Sequence, residues 1–155
     1  MLYYSVVNTL IVDDEEVTTK MLKRLFSRYG LCDVADSGDT AIALFKDAYG
    51  GGSPYDLIVM DVMMPGTTGI EAYEVIREYE RQCGVKNGSE AKIILMTGLG
   101  ISREIFRIYK TSCMAYLYKP IDMKELLNVL NQLNLPLNGD ISLQSLQSSY
   151  LPTTE

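Results

Sequence analysis

Short, almost uninterrupted apolar runs alternate with amphipathic segments five times along this chain of 155 residues. The runs have the length and composition of strands that are buried on both faces. They are, in order, TLIVDD, CDVAD, YDLIVMD, AKIILMTG and MAYLYKP. Strands that alternate with helices predict a parallel sheet covered by helices on both sides, because right-handed crossovers place the helices there. The expected fold class is therefore α/β, a doubly wound five-stranded parallel sheet.

Each apolar run is followed by residues with the periodicity of one helix face. In the first such segment Val17, Met21 and Leu25 recur at spacing four, and Leu22 and Phe26 widen them into a stripe that can face the sheet. The four later stripes consist of Ala41, Leu44, Phe45 and Ala48; Ala72, Val75, Ile76 and Tyr79; Ile101, Ile105 and Ile108; and Met123, Leu126, Leu127, Leu130 and Leu133. Five helices are therefore expected.

The composition favours a single soluble domain and limits its chemistry. Hydrophobic residues make up 47% of the chain and charged residues 22%, and no apolar run is long enough to span a bilayer, so no membrane partner is expected. The absence of histidine excludes Ser-His-Asp and Cys-His catalysis, HExxH zinc chemistry and a phosphohistidine in this sequence. A net charge of −6 gives no electrostatic reason to expect direct nucleic-acid binding.

The three cysteines indicate the redox compartment. Cys32, Cys83 and Cys113 are odd in number, far apart and without a CxxC spacing. This pattern is typical of reduced thiols in the cytoplasm and argues against a disulfide framework or a metal cluster. We therefore expect a cytoplasmic protein.

Polar side chains stand where four of the five predicted strands end. Asp13 and Asp14 follow the first strand, Asp61 ends the third, Thr97 ends the fourth and Lys119 follows the fifth. In open parallel sheets the ligand site lies outside the carboxyl ends of the strands. Three carboxylates, a hydroxyl and an ammonium at one edge therefore indicate a shared site.

Each of these residues also has a purely structural interpretation. Asp13 or Asp14 could cap the helix that follows, as short acidic side chains often do. Lys119 could be a strand-end lysine whose charge reaches solvent, and Thr97 a β-branched strand residue. Their grouping at one edge of the predicted sheet favours the functional interpretation.

Four motifs in order resemble the receiver domain of two-component response regulators. They are VDD at 12–14, MDVMMPGTTG at 60–69, MTG at 96–98 and YLYKP at 116–120. The resemblance covers about residues 6 to 136, so that we expect a receiver domain over 1–136 and a C-terminal tail or linker over 137–155. It implies a flavodoxin-like, CheY-like (βα)5 fold with strand order 2-1-3-4-5.

The resemblance also implies the chemistry of the site. Asp61 would accept a phosphoryl group from a sensor histidine kinase or a phosphotransfer protein. Mg²⁺ is the implied cofactor, with Asp14, Asp61 and the Met63 backbone carbonyl as direct ligands and Asp13 acting through water. A divalent cation would relieve the repulsion among clustered carboxylates, and Mg²⁺ is an ion that prefers oxygen ligands.

The remaining implied roles concern the phosphate and its effect. Lys119 and Thr97 would bind phosphoryl oxygens. Thr97 and Tyr116 would form a switch that acts on the fourth helix, fifth strand and fifth helix, where a downstream target or a second copy binds. Met63 and Leu99 would flank the path of the attacking water, and since neither orients water by hydrogen bonding, we expect a long-lived acyl phosphate. Such a chain is a signalling switch that catalyses only its own phosphorylation and dephosphorylation.

Two other functions remain open. A metal-dependent hydrolase of the haloacid dehalogenase type also forms an aspartyl phosphate, but it requires DxDxT, and this sequence has Asp61, Val62 and Met63 there. A degenerate receiver could serve only as a binding module. The complete set of acidic residues argues against that alternative.

Overall fold

The computed structural model describes residues 6–98 and 115–135. The strands are β1 (Thr9–Val12), β2 (Cys32–Ala35), β3 (Leu57–Asp61), β4 (Lys92–Thr97) and β5 (Ala115–Tyr118). The helices are α1 (Glu16–Phe26), α2 (Gly38–Gly50), α3 (Gly69–Gln82) and α4 (Met123–Gln132). Helix α4 is the fifth helix predicted from the sequence. The helix predicted around Ile101, Ile105 and Ile108 lies outside the described residues.

All five strands are parallel and form one sheet in the order β2-β1-β3-β4-β5. This confirms the predicted fold class and the strand order that the resemblance implied. Val12 of β1 pairs with Ala35 on one side and with Met60 on the other. The residues that follow β1 and those that end β3 therefore meet at one edge, at the point where the strand order reverses.

Both faces of the sheet are covered by helices, as predicted. Helices α2 and α3 pack on one face through Ala41, Phe45, Ala72 and Ile76. Helices α1 and α4 pack on the other face through Leu22, Phe26, Leu126 and Leu130. Strand β1 is buried on both sides, which explains its continuous apolar run. Within the described part of the chain, no helix has the length and apolarity needed to cross a membrane.

Within residues 6–98 and 115–135, two residues of the predicted helix faces are exposed. Val17 is 75% exposed, so its assignment to the buried stripe of α1 is wrong. It stands in the first turn of the helix, just beyond the end of β1, and the buried residues of α1 are Thr19, Leu22, Leu25 and Phe26. Val75 is 39% exposed because the buried face of α3 follows Ala72, Ile76 and Glu80 at spacing four and leaves Val75 at its margin.

Candidate functional site

The carboxyl edge of β1 and β3 brings three aspartates together. Asp13 and Asp14 directly follow β1, and Asp61 is the last residue of β3. One carboxylate oxygen of each residue lies within 4.8 Å of those of the other two. Asp13 and Asp61 are 1% and 5% exposed, whereas Asp14 is open to solvent. The cluster is thus a buried pair of carboxylates with a third at its mouth.

Neither Asp13 nor Asp14 caps helix α1. The N-cap residue is Glu15, whose side chain makes no capping hydrogen bond. Oδ1 of Asp13 accepts a hydrogen bond from the Glu15 backbone N–H at 2.9 Å. Among the described residues, the carboxylate of Asp14 has no hydrogen-bond or ion-pair partner. The capping interpretation is therefore wrong, and the Asp14 carboxylate is available to a ligand.

Lys119 points into this cluster from the end of β5. Its backbone N–H donates to the Thr97 carbonyl at 2.7 Å, and its peptide bond to Pro120 is cis. The Nζ atom donates to Oδ2 of Asp13 at 2.5 Å and to Oδ2 of Asp61 at 3.0 Å. Only 19% of the side chain is exposed. The ammonium group is directed toward the carboxylates, so the interpretation of Lys119 as a solvent-directed lysine is wrong.

A fourth carboxylate lies near the cluster and was not predicted from the sequence. Oε2 of Glu15 is 3.8 Å from Nζ of Lys119, and the Glu15 side chain is 58% exposed. The only sequence feature that could have indicated it is its position directly after Asp13 and Asp14. At this distance and exposure the ion pair between Glu15 and Lys119 contributes little to stability. The Glu15 carboxylate nevertheless adds negative charge at the mouth of the site.

Burial and hydrogen bonding oppose each other at both central groups, and the pKa values of Asp61 and Lys119 are both raised. Burial raises the pKa of Asp61, and hydrogen bonds from Lys119 and from the Met63 backbone N–H, the latter at 3.0 Å, only partly oppose this rise. Burial lowers the pKa of Lys119, but its hydrogen bonds to Asp13 and Asp61 outweigh burial and raise the pKa overall. The lysine therefore stays protonated and stabilises the ionised form of Asp61.

The donor atoms of the cluster fit a hard divalent cation. Carboxylate oxygens are the ligands that such ions prefer. Asp14 is exposed and unpaired among the described residues, whereas both oxygens of Asp13 already accept hydrogen bonds, from Glu15 and Lys119. A cation would add positive charge where burial disfavours the ionised form of Asp61.

The other predicted residues occupy the same edge or the adjoining strand. Thr97 is the last residue of β4, is 1% exposed, and donates its hydroxyl to the carbonyl of the next residue at 3.2 Å. Tyr116 lies half-buried in β5, and its ring packs edge-on against Tyr118 with centroids 5.6 Å apart. Met63 follows β3 and is 63% exposed. Leu99 lies outside the described residues.

A five-stranded parallel sheet of this order, with three aspartates and a strand-end lysine at one edge, defines the receiver class of α/β proteins. The family model for the response regulator receiver domain matches residues 9–131, which run from β1 to the last turn of α4. The chain belongs to this family.

Individual relatives match the chain over similar ranges. It is 32% identical over 131 residues to two-component response regulator 24 of Arabidopsis thaliana, with 84% of this chain and 86% of that protein covered. It is 30% identical over 139 residues to the regulatory protein AtoC of Escherichia coli (strain K12), covering 89% of this chain but spanning only 26% of AtoC. Among solved structures, it is similar to the receiver domain of the histidine kinase CKI1 from Arabidopsis thaliana complexed with Mg²⁺ and BeF₃⁻. That match has a TM-score of 0.67 and 28% identity, and it covers 82% of this chain and 89% of the other.

Proposed function

We propose that this chain is a phosphoacceptor switch, in which Asp61 accepts a phosphoryl group from a phosphohistidine of a sensor kinase or phosphotransfer protein. The observation that carries the proposal is the inward-pointing ammonium of Lys119, which contacts both Asp13 and Asp61. A carboxylate nucleophile beside a fixed positive charge is what phosphoryl transfer requires, since catalysis of this reaction is mainly positioning and charge stabilisation.

The transfer forms one bond and breaks another. An oxygen of the Asp61 carboxylate bonds to phosphorus while the phosphorus–nitrogen bond of the donor breaks, and the departing imidazole keeps the electron pair and takes up a proton. Lys119 supplies a charge and Thr97 a hydroxyl to the phosphoryl oxygens. The sequence contains no histidine, so the donor lies outside it. Water later attacks the same phosphorus, the bond from phosphorus to the Asp61 oxygen breaks, and inorganic phosphate leaves. The carboxylate is restored, so the chain catalyses only its own phosphorylation and dephosphorylation.

We propose Mg²⁺ as the cofactor of this step. Asp14, Asp61 and the Met63 backbone carbonyl would hold it directly, and Asp13 would act through water. When bound, the ion neutralises negative charge on the phosphoryl oxygens. The cluster of three carboxylates supports this assignment, and so does the Mg²⁺ in the similar CKI1 receiver domain.

The proposed output starts at Thr97 and Tyr116 and reaches the face formed by β5, α4 and the helix predicted around Ile101. A downstream target or a second copy of the chain would bind this face, and neither nucleic acid nor membrane is a proposed partner. In this proposal residues 1–136 form the receiver domain, residues 137–155 are a tail or linker, and the protein acts in the cytoplasm.

Acetyl phosphate, a small-molecule phosphodonor, tests the proposal directly. With Mg²⁺ present, intact-mass analysis should show one added phosphate on the wild-type protein. The adduct should be lost in Asp61→Asn and in wild type without metal. Asp56→Asn, at the opposite end of β3, is the matched control and should be phosphorylated normally.

An adduct that is equally abundant in Asp61→Asn would contradict the assignment of the acceptor. Turnover of a soluble phosphoester would favour the hydrolase of the haloacid dehalogenase type instead. A wild-type protein that takes no phosphate from acetyl phosphate or from phosphohistidine donors would favour the degenerate receiver that serves as a binding module.

A further inference from the structure

The loop between β3 and α3 contains the backbone groups that adjoin Asp61. The Met63 N–H donates to Oδ1 of Asp61 at 3.0 Å, and the Gly69 N–H donates to the Val62 carbonyl at 3.0 Å. The first bond holds the start of the loop against the Asp61 side chain, and the second joins the start of the loop to the start of α3. The position of Met63 therefore decides where one oxygen of the Asp61 carboxylate points.

The first turn of helix α2 contacts the same loop at Thr67. Asp39, in the first turn of α2, accepts a hydrogen bond from the Thr67 hydroxyl at 2.7 Å, across 28 residues of sequence. The neighbouring Gly38 approaches so closely that a Cβ atom there would lie 2.5 Å from the Thr67 carbonyl oxygen and 2.8 Å from its Cγ2. The hydrogen bond to Asp39 and the close approach of Gly38 therefore both act on Thr67. We call Gly38, Asp39 and Thr67 the α2 latch.

We propose that Asp39, Gly38 and Thr67 are positioning residues for phosphoryl transfer, acting through the loop on the backbone of Met63. The inference rests on the proposed function of Asp61. None of the three has a role in the chemistry itself, because each acts on the loop and not on the phosphoryl group.

The loop has features that make such a latch effective. Gly66 adopts a left-handed φ of +77°, and Pro65 and Gly66 are both exposed, so the outer part of the loop has little apolar packing. Thr68, next to the latch, is the N-cap of α3 and forms a capping box with Glu71. Displacement of Thr67 would therefore shift both the loop and the start of α3. Displacements of about 1 Å at a reacting group are enough to slow a reaction strongly.

The chain offers closely matched variants for the test. Thr67→Val keeps the shape and the methyl contact but removes the hydroxyl, whereas Thr67→Ser keeps the hydroxyl. Asp39→Ala removes the acceptor, and Gly38→Ala forces the Thr67 carbonyl away. Asp47→Ala, on the same helix, is the control carboxylate. The measurements are the rate of phosphorylation at saturating acetyl phosphate, the affinity for Mg²⁺ and the urea midpoint of unfolding.

We expect Thr67→Val and Asp39→Ala each to lower the maximal rate of phosphorylation about threefold to tenfold. This is the change in rate expected when the net free energy of one hydrogen bond is lost. The affinity for Mg²⁺ should fall in parallel. The double variant should be no slower than either single one, because both remove the same bond. Gly38→Ala should also be slow, and Thr67→Ser and Asp47→Ala should match wild type.

Wild-type rates and Mg²⁺ affinity in folded Thr67→Val and Asp39→Ala would overturn the inference. If Thr67→Ser and Asp47→Ala lowered the phosphorylation rate and the Mg²⁺ affinity as much as Thr67→Val and Asp39→Ala do, the inference would also be overturned, because the effect would then be general destabilisation. If the wild type takes no phosphate at all, the proposed function fails. In that case the Mg²⁺ affinity of Thr67→Val against Thr67→Ser still tests the latch.

Discussion

Asp13 and Asp14 are neighbours in sequence, yet their carboxylates differ in what they already contact. Both oxygens of Asp13 accept hydrogen bonds, whereas Asp14 has no hydrogen-bond or ion-pair partner within the described ranges. We therefore expect Asp14→Asn to weaken Mg²⁺ binding by at least about tenfold and Asp13→Asn to weaken it less. Titration of Mg²⁺ against a spectroscopic signal compares them, and equal wild-type affinity in both variants would refute the metal site.

Met63 and Leu99 lead to a prediction about the lifetime of the phosphate. Met63 is largely exposed beside the acceptor, and a thioether accepts hydrogen bonds only weakly. Leu99 lies outside the described residues, so its part stays a prediction from sequence. We expect the double variant Met63→Asn/Leu99→Glu to lose its phosphate faster than wild type after the donor is removed. A double variant no faster than wild type would leave the partner kinase or a phosphatase to set the lifetime.

At the junction between β3 and α3 the backbone leaves no space for a side chain at Gly69. A Cβ atom there would lie 2.0 Å from the Asp61 carbonyl oxygen, whereas a Cβ at Gly50, the last residue of α2, meets nothing within 4 Å. Gly69→Ala should therefore lower the free energy of unfolding by at least about 2 kcal/mol. Gly50→Ala should raise it by up to about 0.5 kcal/mol, because alanine has the higher helix propensity. Urea unfolding measures both, and equal changes would show that the close approach is relieved at little cost.

Helix α3 is also tied to β4 by a buried carboxylate. Glu80 is 3% exposed, and its oxygens accept hydrogen bonds from Arg77 at 2.6 Å and from the Ala91 backbone N–H at 2.8 Å. Glu80→Ala leaves that N–H without an acceptor and should cost about 2–4 kcal/mol. Glu78→Ala removes an exposed glutamate of the same helix and should leave the urea midpoint near that of wild type. Similar midpoints for the two variants would contradict the structural role of Glu80.

The proposed switch would involve several elements together. If Thr97 couples the phosphate to β5 and α4, Thr97→Ala should still be phosphorylated but should not alter that face. Amide hydrogen exchange of β5 and α4 in the phosphorylated and free forms measures the response. Asp61→Asn, which cannot be phosphorylated at this position, supplies the unresponsive reference. A normal response in Thr97→Ala would show that the signal takes another route.

The alternation of apolar runs predicted the main architecture because burial on both faces leaves a strong pattern in each strand. The same pattern does not predict which strands lie side by side in the sheet. The short, half-buried β2 could pair with several strands, and its position beside β1 was predicted from the resemblance alone. The exposure of Val17 was missed because its spacing matches Met21 and Leu25, while the sheet ends before the first turn of α1.

The site was predictable where its residues stand directly at strand ends. Asp61 and Lys119 converge because parallel strands share one carboxyl edge, whatever the side chains between them. The contact of Thr67 with Asp39 was not predictable, since it depends on the path of a loop and on a partner 28 residues away. Glu15 reaches Lys119 through its side chain, and no spacing rule indicates such a contact.

The close approach of Gly69 to the Asp61 carbonyl also has an evolutionary consequence. Every amino acid that a single-base change can substitute for glycine carries a Cβ atom, and here that atom would meet backbone and not a movable side chain. A base change at this codon that replaces the glycine is therefore expected to destabilise the fold. The side chain of Met63, six positions earlier, is 63% exposed, so a replacement there is expected to cost less stability than one at Gly69.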